Sequence, residues 1–425
     1  MNDYGILLYI DPGTGSMLFS VIVGVAAAVL FFLQKIWLKV KFMISGGKVD
    51  KTDTHKIPYL IFSDNKWYWN IFKPVCDEFE RRKIPLEYWT AAANDPALNE
   101  KYEYVKCEFI GEGNKAFAKL NFAKAGILLS TTPGLDVYQW KRSQNVDWYV
   151  HTFHSTGDSA LYRMFGLDFY DAVLLSGSIQ EKNIRNMEKL RPTIKRKELT
   201  YVGSAYMDVM KIRLNDAKSK KDGIRTVLVA SSWGKSSVLS RFGGKLIEAL
   251  QKTGYNIIVR PHPQSFVSEI PLMESLQKQY PESEKMHWNR DNDNFDVLNE
   301  ADIMITDFSS VIFDYALVFD KPVLYADTSF DLSPYDAWWL EREGLYRFDA
   351  HKRIGQLFNE NDFENIKELI DRLIVEDPLR SGRNELRSER WEYAGEAAVR
   401  TVDYLVGKHE ELEHTRKKTE EVVGE

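Results

Sequence analysis

The chain has 425 residues, of which 44% are hydrophobic, 13% aromatic and 28% charged; this is too long for one ordinary core, fits two domains with a short appendage, and excludes a disordered polymer. Fifty-six basic against 62 acidic side chains give a formal net charge of -6, so no global field favours nucleic acid and an anionic ligand must be gripped locally. Cys76 and Cys107 fit neither a disulfide framework nor a zinc spacing and read as reduced thiols.

Residues 1–16 are a short segment carrying Asp3 and Asp11. Met17 to Leu33 then run without a charge, and as a helix this stretch reaches roughly 25 Å, near the thickness of a hydrocarbon core. Trp37 and Leu38 extend it, so residues 17–38 read as a transmembrane anchor. No basic start and no cleavage site mark it as a signal peptide. Lys35, Lys39 and Lys41 follow the span, which places everything after it in the cytoplasm by the positive-inside bias. The expectation is a single-pass protein of the cell membrane, with a linker over 39–57.

From Tyr59 onward, short apolar runs alternate with helical patterns, the rhythm of parallel strands joined by crossover helices. Strands are predicted at 59–63, 86–89, 126–130, 148–153 and 172–177. Between the first two, Asp64 and Asn65 cap a helix over 67–82 whose Trp69, Phe72, Cys76 and Phe79 recur at helical spacing and face a core. A polar, basic segment at 211–225 reads as a hinge. A second series of strands follows at 226–231, 256–260, 302–306 and 322–325, then helical patterns over 365–406 and a charged tail from 408 to 425. The reading is an α/β protein with a Rossmann-like first domain over 58–210 and a second over 226–407, facing each other across a cleft at their carboxyl strand ends.

Three constellations lie at such strand ends. Arg260-Pro261-His262-Pro263 follows the strand NIIVR; two prolines stiffen the turn around an imidazole, and the guanidinium fork of Arg260 suits phosphate oxygens. In the run from Ile305 to Asp327, Asp307, Ser309 and Ser310 form the turn before a helix over 311–319, where hydroxyls and unpaired amides make an anion site; serines in that place are also common as plain caps. Third, HTFHSTGDS at 151–159 puts His154 at the end of a first-domain strand, where a neutral imidazole can take a proton from an acceptor hydroxyl. His151, inside that strand, reads as its structural partner. GKSS at 234–237 lacks the first glycine of a P-loop, which leaves ATP hydrolysis unsupported. No histidine or acidic cluster has metal-ligand spacing, so no metal and no cofactor is expected.

RPHP at 260–263 together with TDFSSVIFDYALVFDKPVLYAD at 306–327 resembles the C-terminal half of the CDP-glycerol glycerophosphotransferases, the teichoic acid primases and polymerases. FHST at 153–156 is similar to that family's tryptophan-histidine-glycine-threonine turn, and VGSAYMD at 202–208 to its hinge strand. Phe153 stands for the tryptophan, and Ser155 to Asp158 replace a glycine-threonine-proline run, a departure on the acceptor side of the cleft. The resemblance implies a GT-B architecture with Arg260, His262, Asp307, Ser309 and Ser310 around the donor's phosphates, and His154 with His262 as catalytic groups. It implies a CDP-glycerol or other CDP-polyol donor, a lipid- or glycan-linked acceptor, and release of CMP. Three rival readings share the fold: a glycosyltransferase using a CMP- or UDP-sugar, a catalytically silent membrane scaffold, and a nucleotide-sugar epimerase.

Overall fold

The computed structural model describes residues 56–217, 223–291, 293–326, 335–340 and 346–424, and Lys56–Glu425 form one compact unit. The anchor expected at 17–38, with segment 1–16 and nearly all of the linker, lies outside the described residues. Among the described residues, no helix is long and apolar enough to cross a membrane.

Two parallel sheets organise the unit. The first holds β1 (Ile57–Ser63), β2 (Leu86–Thr90), β3 (Val105–Phe109), β4 (Ala125–Ser130), β5 (Val146–Thr152), β6 (Ala172–Leu175) and β7 (Glu198–Tyr201) in the order β3-β2-β1-β4-β5-β6-β7. The second holds β8 (Thr226–Ala230), β9 (Asn256–Arg260), β10 (Met286–Trp288), β11 (Ile303–Thr306), β12 (Val323–Ala326) and β13 (Gly355–Phe358) in the order β10-β9-β8-β11-β12-β13. Counted from its own first strand, each sheet therefore begins 3-2-1-4-5-6, the doubly wound order whose switch point lies between strands 1 and 4.

Parallel strands covered on both faces must be apolar throughout, and β4, AGILLS, is buried at every position. Successive residues serve opposite layers. Ile61, Ile127, Leu129 and Val150 pack with Phe72 and Phe79 of helix α1 (Trp69–Arg82), while Leu60, Phe62, Leu128 and Tyr149 pack with Leu135 and Trp140 on the other face. Each fully buried aromatic or branched side chain contributes about 1.5–3 kcal/mol. The expected α1 stripe of Trp69, Phe72, Cys76 and Phe79 is buried, and the polar start is organised by Asn65, which accepts the Trp67 amide at 3.2 Å.

Helix α2 (Ser178–Leu190) lies between β6 and β7, and α3 (Ala205–Asp216) leads out of the first half. The first part of the segment read as a hinge is thus helical, and Met207 and Met210 of α3 are buried in the core of the second half beside Leu228, Met304 and Trp391. In that half α4 (Val311–Asp314) follows β11 and passes directly into a π-helical turn, Tyr315–Phe319; α5 (Tyr346–Ile354) precedes β13, and α6 (Arg380–Arg390) follows it.

Helix α7 (Ala397–Gly424) then returns to the first half. Its Val402 and Leu405 join the core around Phe72 and Phe79, Tyr404 accepts the Trp148 indole N–H at 3.2 Å, and Lys408 pairs with Glu198 at 2.8 Å. Residues read as the end of the second domain and a charged tail are one continuous helix that ties the halves together. Two features fix the crossing. Asp208 accepts the indole N–H of Trp391 at 2.8 Å and the amides of Gly395 and Ala397 at 2.7 and 3.0 Å. Gly203, at φ +89, has the Glu392 carbonyl so close that a Cβ would meet it at 2.5 Å, so neither its dihedral nor its space admits a side chain. Removing Asp208 would orphan three donors at a buried helix start; Asp208→Ala is expected to cost about 2 kcal/mol, read as a lowered urea midpoint, and an unchanged midpoint would exclude this role.

Candidate active site

In the second half, three loops ring the switch point: Ser231–Ser237 after β8, the Pro261–Pro263 turn after β9, and Asp307–Ser310 after β11. Asp307 fastens the first to the third. Its carboxylate accepts the Ser232 amide at 3.0 and 3.1 Å, the Val238 amide at 2.8 Å and the Ser309 amide at 3.0 Å. Burial pushes this carboxyl up to about 6, opposed by the same backbone donors. Asp307 is buried and fully engaged inside the turn, so the reading of it as a phosphate-contacting group is corrected to one of shaping the loops.

Ser310 stands at the N-cap position of α4, but its side chain makes no capping bond. Its Oγ instead accepts Nη2 of Arg347 at 2.7 Å, and Nη1 of the same guanidinium donates to the Phe308 carbonyl at 2.5 Å. A hydroxyl that accepts from a cation keeps its own proton to donate, so Ser310 offers an O–H at the mouth of the helix. Arg347, from α5, is buried and gave no motif signal.

The two prolines leave His262 exposed at the end of β9. Its Nδ1 accepts the Gln264 amide at 3.1 Å, which puts the proton of the neutral ring on Nε2 and gives the cleft an N–H donor. Desolvation first, and then the charge of Arg260, hold the imidazole below its ordinary pKa. Arg260 itself is held sideways by the Asn289 side chain and, at 2.9 Å, by the Asp291 carbonyl. Trp233, exposed in the loop after β8, has its ring 6.5 Å from that of His262.

Across from these groups, His154 follows β5. Its Nδ1 lies 3.3 Å from the Tyr162 hydroxyl, which is also 3.2 Å from Nε2 of His151, and the Tyr68 ring is 5.4 Å away. Burial lowers His154 to about 4, helped by the charge of His262, so it is a neutral ring at physiological pH and sits within electrostatic reach of the opposing histidine. The turn that follows meets the second half directly. A Cβ on Gly157 would come 2.8 Å from Arg347 Nη2 and 3.2 Å from Ser310 Oγ. Arg390 of α6 donates to the Thr156 carbonyl at 2.9 Å, lies 3.7 Å from Asp158 and stacks on Phe313.

His154 thus lies within electrostatic reach of His262, the turn after it meets Ser310 and Arg347, and Tyr162 and Arg390 bond to His154 and to that turn. Asp314, on α4 one turn beyond Ser310, has an Oδ1 without a partner among the described residues, and burial alone raises it to about 7. Among the described residues, no group of three or more His, Cys, Asp or Glu side chains is arranged to hold a metal ion.

By architecture this is a GT-B-like α/β protein. Its fold is similar to the UDP-GlcNAc 2-epimerase from Neisseria meningitidis bound to UDP-GlcNAc (TM-score 0.51, 13% identity, 83% of this chain and 100% of that one). It is also similar to the S. aureus MnaA–UDP co-structure (TM-score 0.51, 15% identity, 83% and 96%) and to a further UDP-N-acetylglucosamine 2-epimerase (TM-score 0.52, 14% identity, 83% and 96%). At these identities the likeness is one of fold. No curated protein matches in sequence. Residues 218–393 match the family described as CDP-glycerol:poly(glycerophosphate) glycerophosphotransferase, and the resemblance read from 260–263 and 306–327 is borne out within that stretch.

Two titrations test this geometry. The His154 ring is expected to titrate near 4 and to move up toward 6.5 in His262→Ala, since removing a like charge favours the protonated form; NMR titration with an unmoved midpoint would separate the two rings. Asp314, raised from 3.8 to about 7, favours the fold when protonated, and that contribution is lost as pH rises through 7. Asp314→Asn should therefore stabilise the protein at pH 8 relative to pH 5; an equal effect at both values would contradict an unpaired carboxyl.

Proposed function

We propose that the protein is a membrane-anchored transferase that moves glycerol phosphate, or a related polyol phosphate, from a CDP-linked donor to a hydroxyl of a lipid- or glycan-linked acceptor, releasing CMP on the cytoplasmic face. What supports this reading is that His154 lies within electrostatic reach of His262 and that the turn after His154 meets the Ser310 hydroxyl. His262, with its proton on Nε2, and Ser310, with its hydroxyl proton free, are donors matched to the oxygens of a diphosphate. Arg260 adds positive charge at the rim.

In this reading a neutral His154 takes the proton of the acceptor hydroxyl as its oxygen attacks the β-phosphorus; the new O–P bond forms while the P–O bond to CMP breaks, and CMP leaves with the electron pair. Positioning and fixed dipoles carry most of the rate. The uncharged run at 17–33 and the lysines after it support anchoring, which holds the cleft near a lipid-linked acceptor and raises its effective concentration.

The fold likeness to proteins bound to UDP-GlcNAc or UDP favours, as a second reading, a glycosyltransferase using a CMP- or UDP-sugar. Supplying CDP-glycerol, CDP-ribitol and nucleotide sugars side by side is expected to show consumption of a CDP-polyol. His154→Ala and His262→Ala should each lower CMP release by about 100-fold or more with thermal stability retained; full activity in either variant would remove the mechanism, and use of a nucleotide sugar alone would replace the donor.

A further inference from the structure

The first sheet begins in the same strand order as the second, so it has a switch point of its own between β1 and β4, the crevice where such sheets bind ligands at their carboxyl ends. In the proposed reaction the donor uses only the second one. At the first, Asp64 follows β1, and Thr131 and Thr132 follow β4. Asp64 Oδ1 and the hydroxyls of Thr131 and Thr132 are buried there and complete no hydrogen bond among the described residues. The Thr132 hydroxyl faces the Asp64 carboxylate, and Thr131 faces the hydroxyl of Tyr162. Burial, the largest influence on Asp64, raises its carboxyl above the ordinary value, and what opposes this is the Thr132 hydroxyl and backbone, with no cation among them. Buried polar groups are nearly always bonded, so several left open at one strand-end crevice mark a place for a ligand that brings hydrogen bonds of its own.

The crevice reaches His154. Phe62 of β1 lies beside Ser130 of β4, and Ser130 beside His151 of β5, so the residues leaving β1 and β5 start about 10 Å apart with one strand between them. The chain after β1 then narrows the gap. It turns through Lys66–Tyr68, held by the bonds from Ser63 Oγ to the Asn65 carbonyl at 2.9 Å and from the Trp67 amide to Asn65 Oδ1 at 3.2 Å. This lays the Tyr68 ring 5.4 Å from that of His154. The Asp64 charge acts on the hydroxyls of Tyr68 and Tyr162, the two tyrosines whose rings flank the imidazole. Asp64 and His154 therefore border the same polar space.

We propose that Asp64, with Thr132 beside it, binds a second hydroxyl of the acceptor while the attacking hydroxyl meets His154, which makes the acceptor a polyol or sugar and not a simple alcohol. This rests on the reading of the protein as a transferase with His154 as base. A carboxylate only accepts, and a threonine hydroxyl both gives and takes, so one O–H can donate to Asp64 and accept from Thr132. A phosphate oxygen without a proton has nothing to give Asp64, so the pair selects a hydroxyl. The bound hydroxyl is unchanged in the reaction: its neighbour loses the proton to His154 and forms the bond to phosphorus as CMP leaves. Asp64 is thus a binding residue that sets acceptor choice.

The test gives the full chain, in detergent micelles, CDP-glycerol and one of two probe acceptors, glycerol or 1-propanol. Wild type should favour glycerol in kcat/KM by about 10- to 100-fold, the worth of one hydrogen bond to a charged group. Asp64→Ala should bring that ratio to within about twofold of unity and leave KM for CDP-glycerol within about twofold, with no loss of thermal stability, since Asp64 Oδ1 makes no bond within the fold. Asp64→Asn, which keeps the shape, should narrow the ratio in the same direction. Equal use of the two alcohols by wild type, or an unchanged ratio in both variants, would overturn the proposal. If neither alcohol yields CMP from CDP-glycerol, the transfer reading falls, and binding decides the subsite alone. In protein labelled with 15N-histidine, with His154 assigned by the signals lost in His154→Gln, glycerol should shift the His154 ring where 1-propanol at the same concentration does not, and Asp64→Ala should abolish the difference; no such difference in wild type would remove the subsite as well.

Discussion

The turn from His154 to Asp158 is pressed against the Ser310–Arg347 pair, and the rest of the cleft depends on that contact. It joins a loop of the first sheet to the helix start of the second without room for a side chain at Gly157, and it is reinforced by Arg390, whose guanidinium reaches the Thr156 carbonyl while lying on Phe313. Buried guanidiniums are expensive to desolvate and are kept only where hydrogen bonds compensate. Here they fasten two halves that also meet through α3, through α7 and through Asp336, which bonds the Tyr162 carbonyl and the Phe165 amide.

In the proposed reaction the two imidazoles have opposite duties, which follow from what holds their inner nitrogens. A backbone amide pins His262 as a donor, whereas a tyrosine hydroxyl, able to give or take, holds His154. Desolvation holds both below the ordinary imidazole pKa, which in the proposed reaction suits one to a phosphate oxygen and the other to a hydroxyl proton. The carboxylate between the loops, Asp307, spends its hydrogen-bonding capacity on their backbone, while Asp314 is buried with an Oδ1 unpartnered among the described residues.

The nine runs read as strands from apolar content alone are the interior strands of the two sheets, and the four that escaped notice, β3, β7, β10 and β13, are their edges. The reason is physical: an interior parallel strand is covered on both faces and reads as a continuous apolar run, whereas VKCEF, ELTY, MHW and GQLF are partly exposed and chemically mixed. The same limit applies in the cleft. His154, His262 and Ser310 stand at the ends of interior strands and could be singled out from position. Arg347 and Tyr162 reach the cleft from segments with no strand or motif to place them, and the inward turn of Asp307 depends on amides of a loop 75 residues earlier. The return of α7 was hidden by its charge, since one stripe, Val402 and Leu405 with the stem of Lys408, does the packing.

The central claim is that the turn after β9 and the helix start after β11 hold a nucleotide's phosphates between the two histidines. A crystal structure of the protein with CDP-glycerol bound tests it most directly. The account predicts both phosphates within hydrogen-bonding distance of His262 Nε2 and Ser310 Oγ, with the β-phosphorus turned toward His154. A nucleotide bound elsewhere on the chain, with these groups facing only solvent, would contradict it.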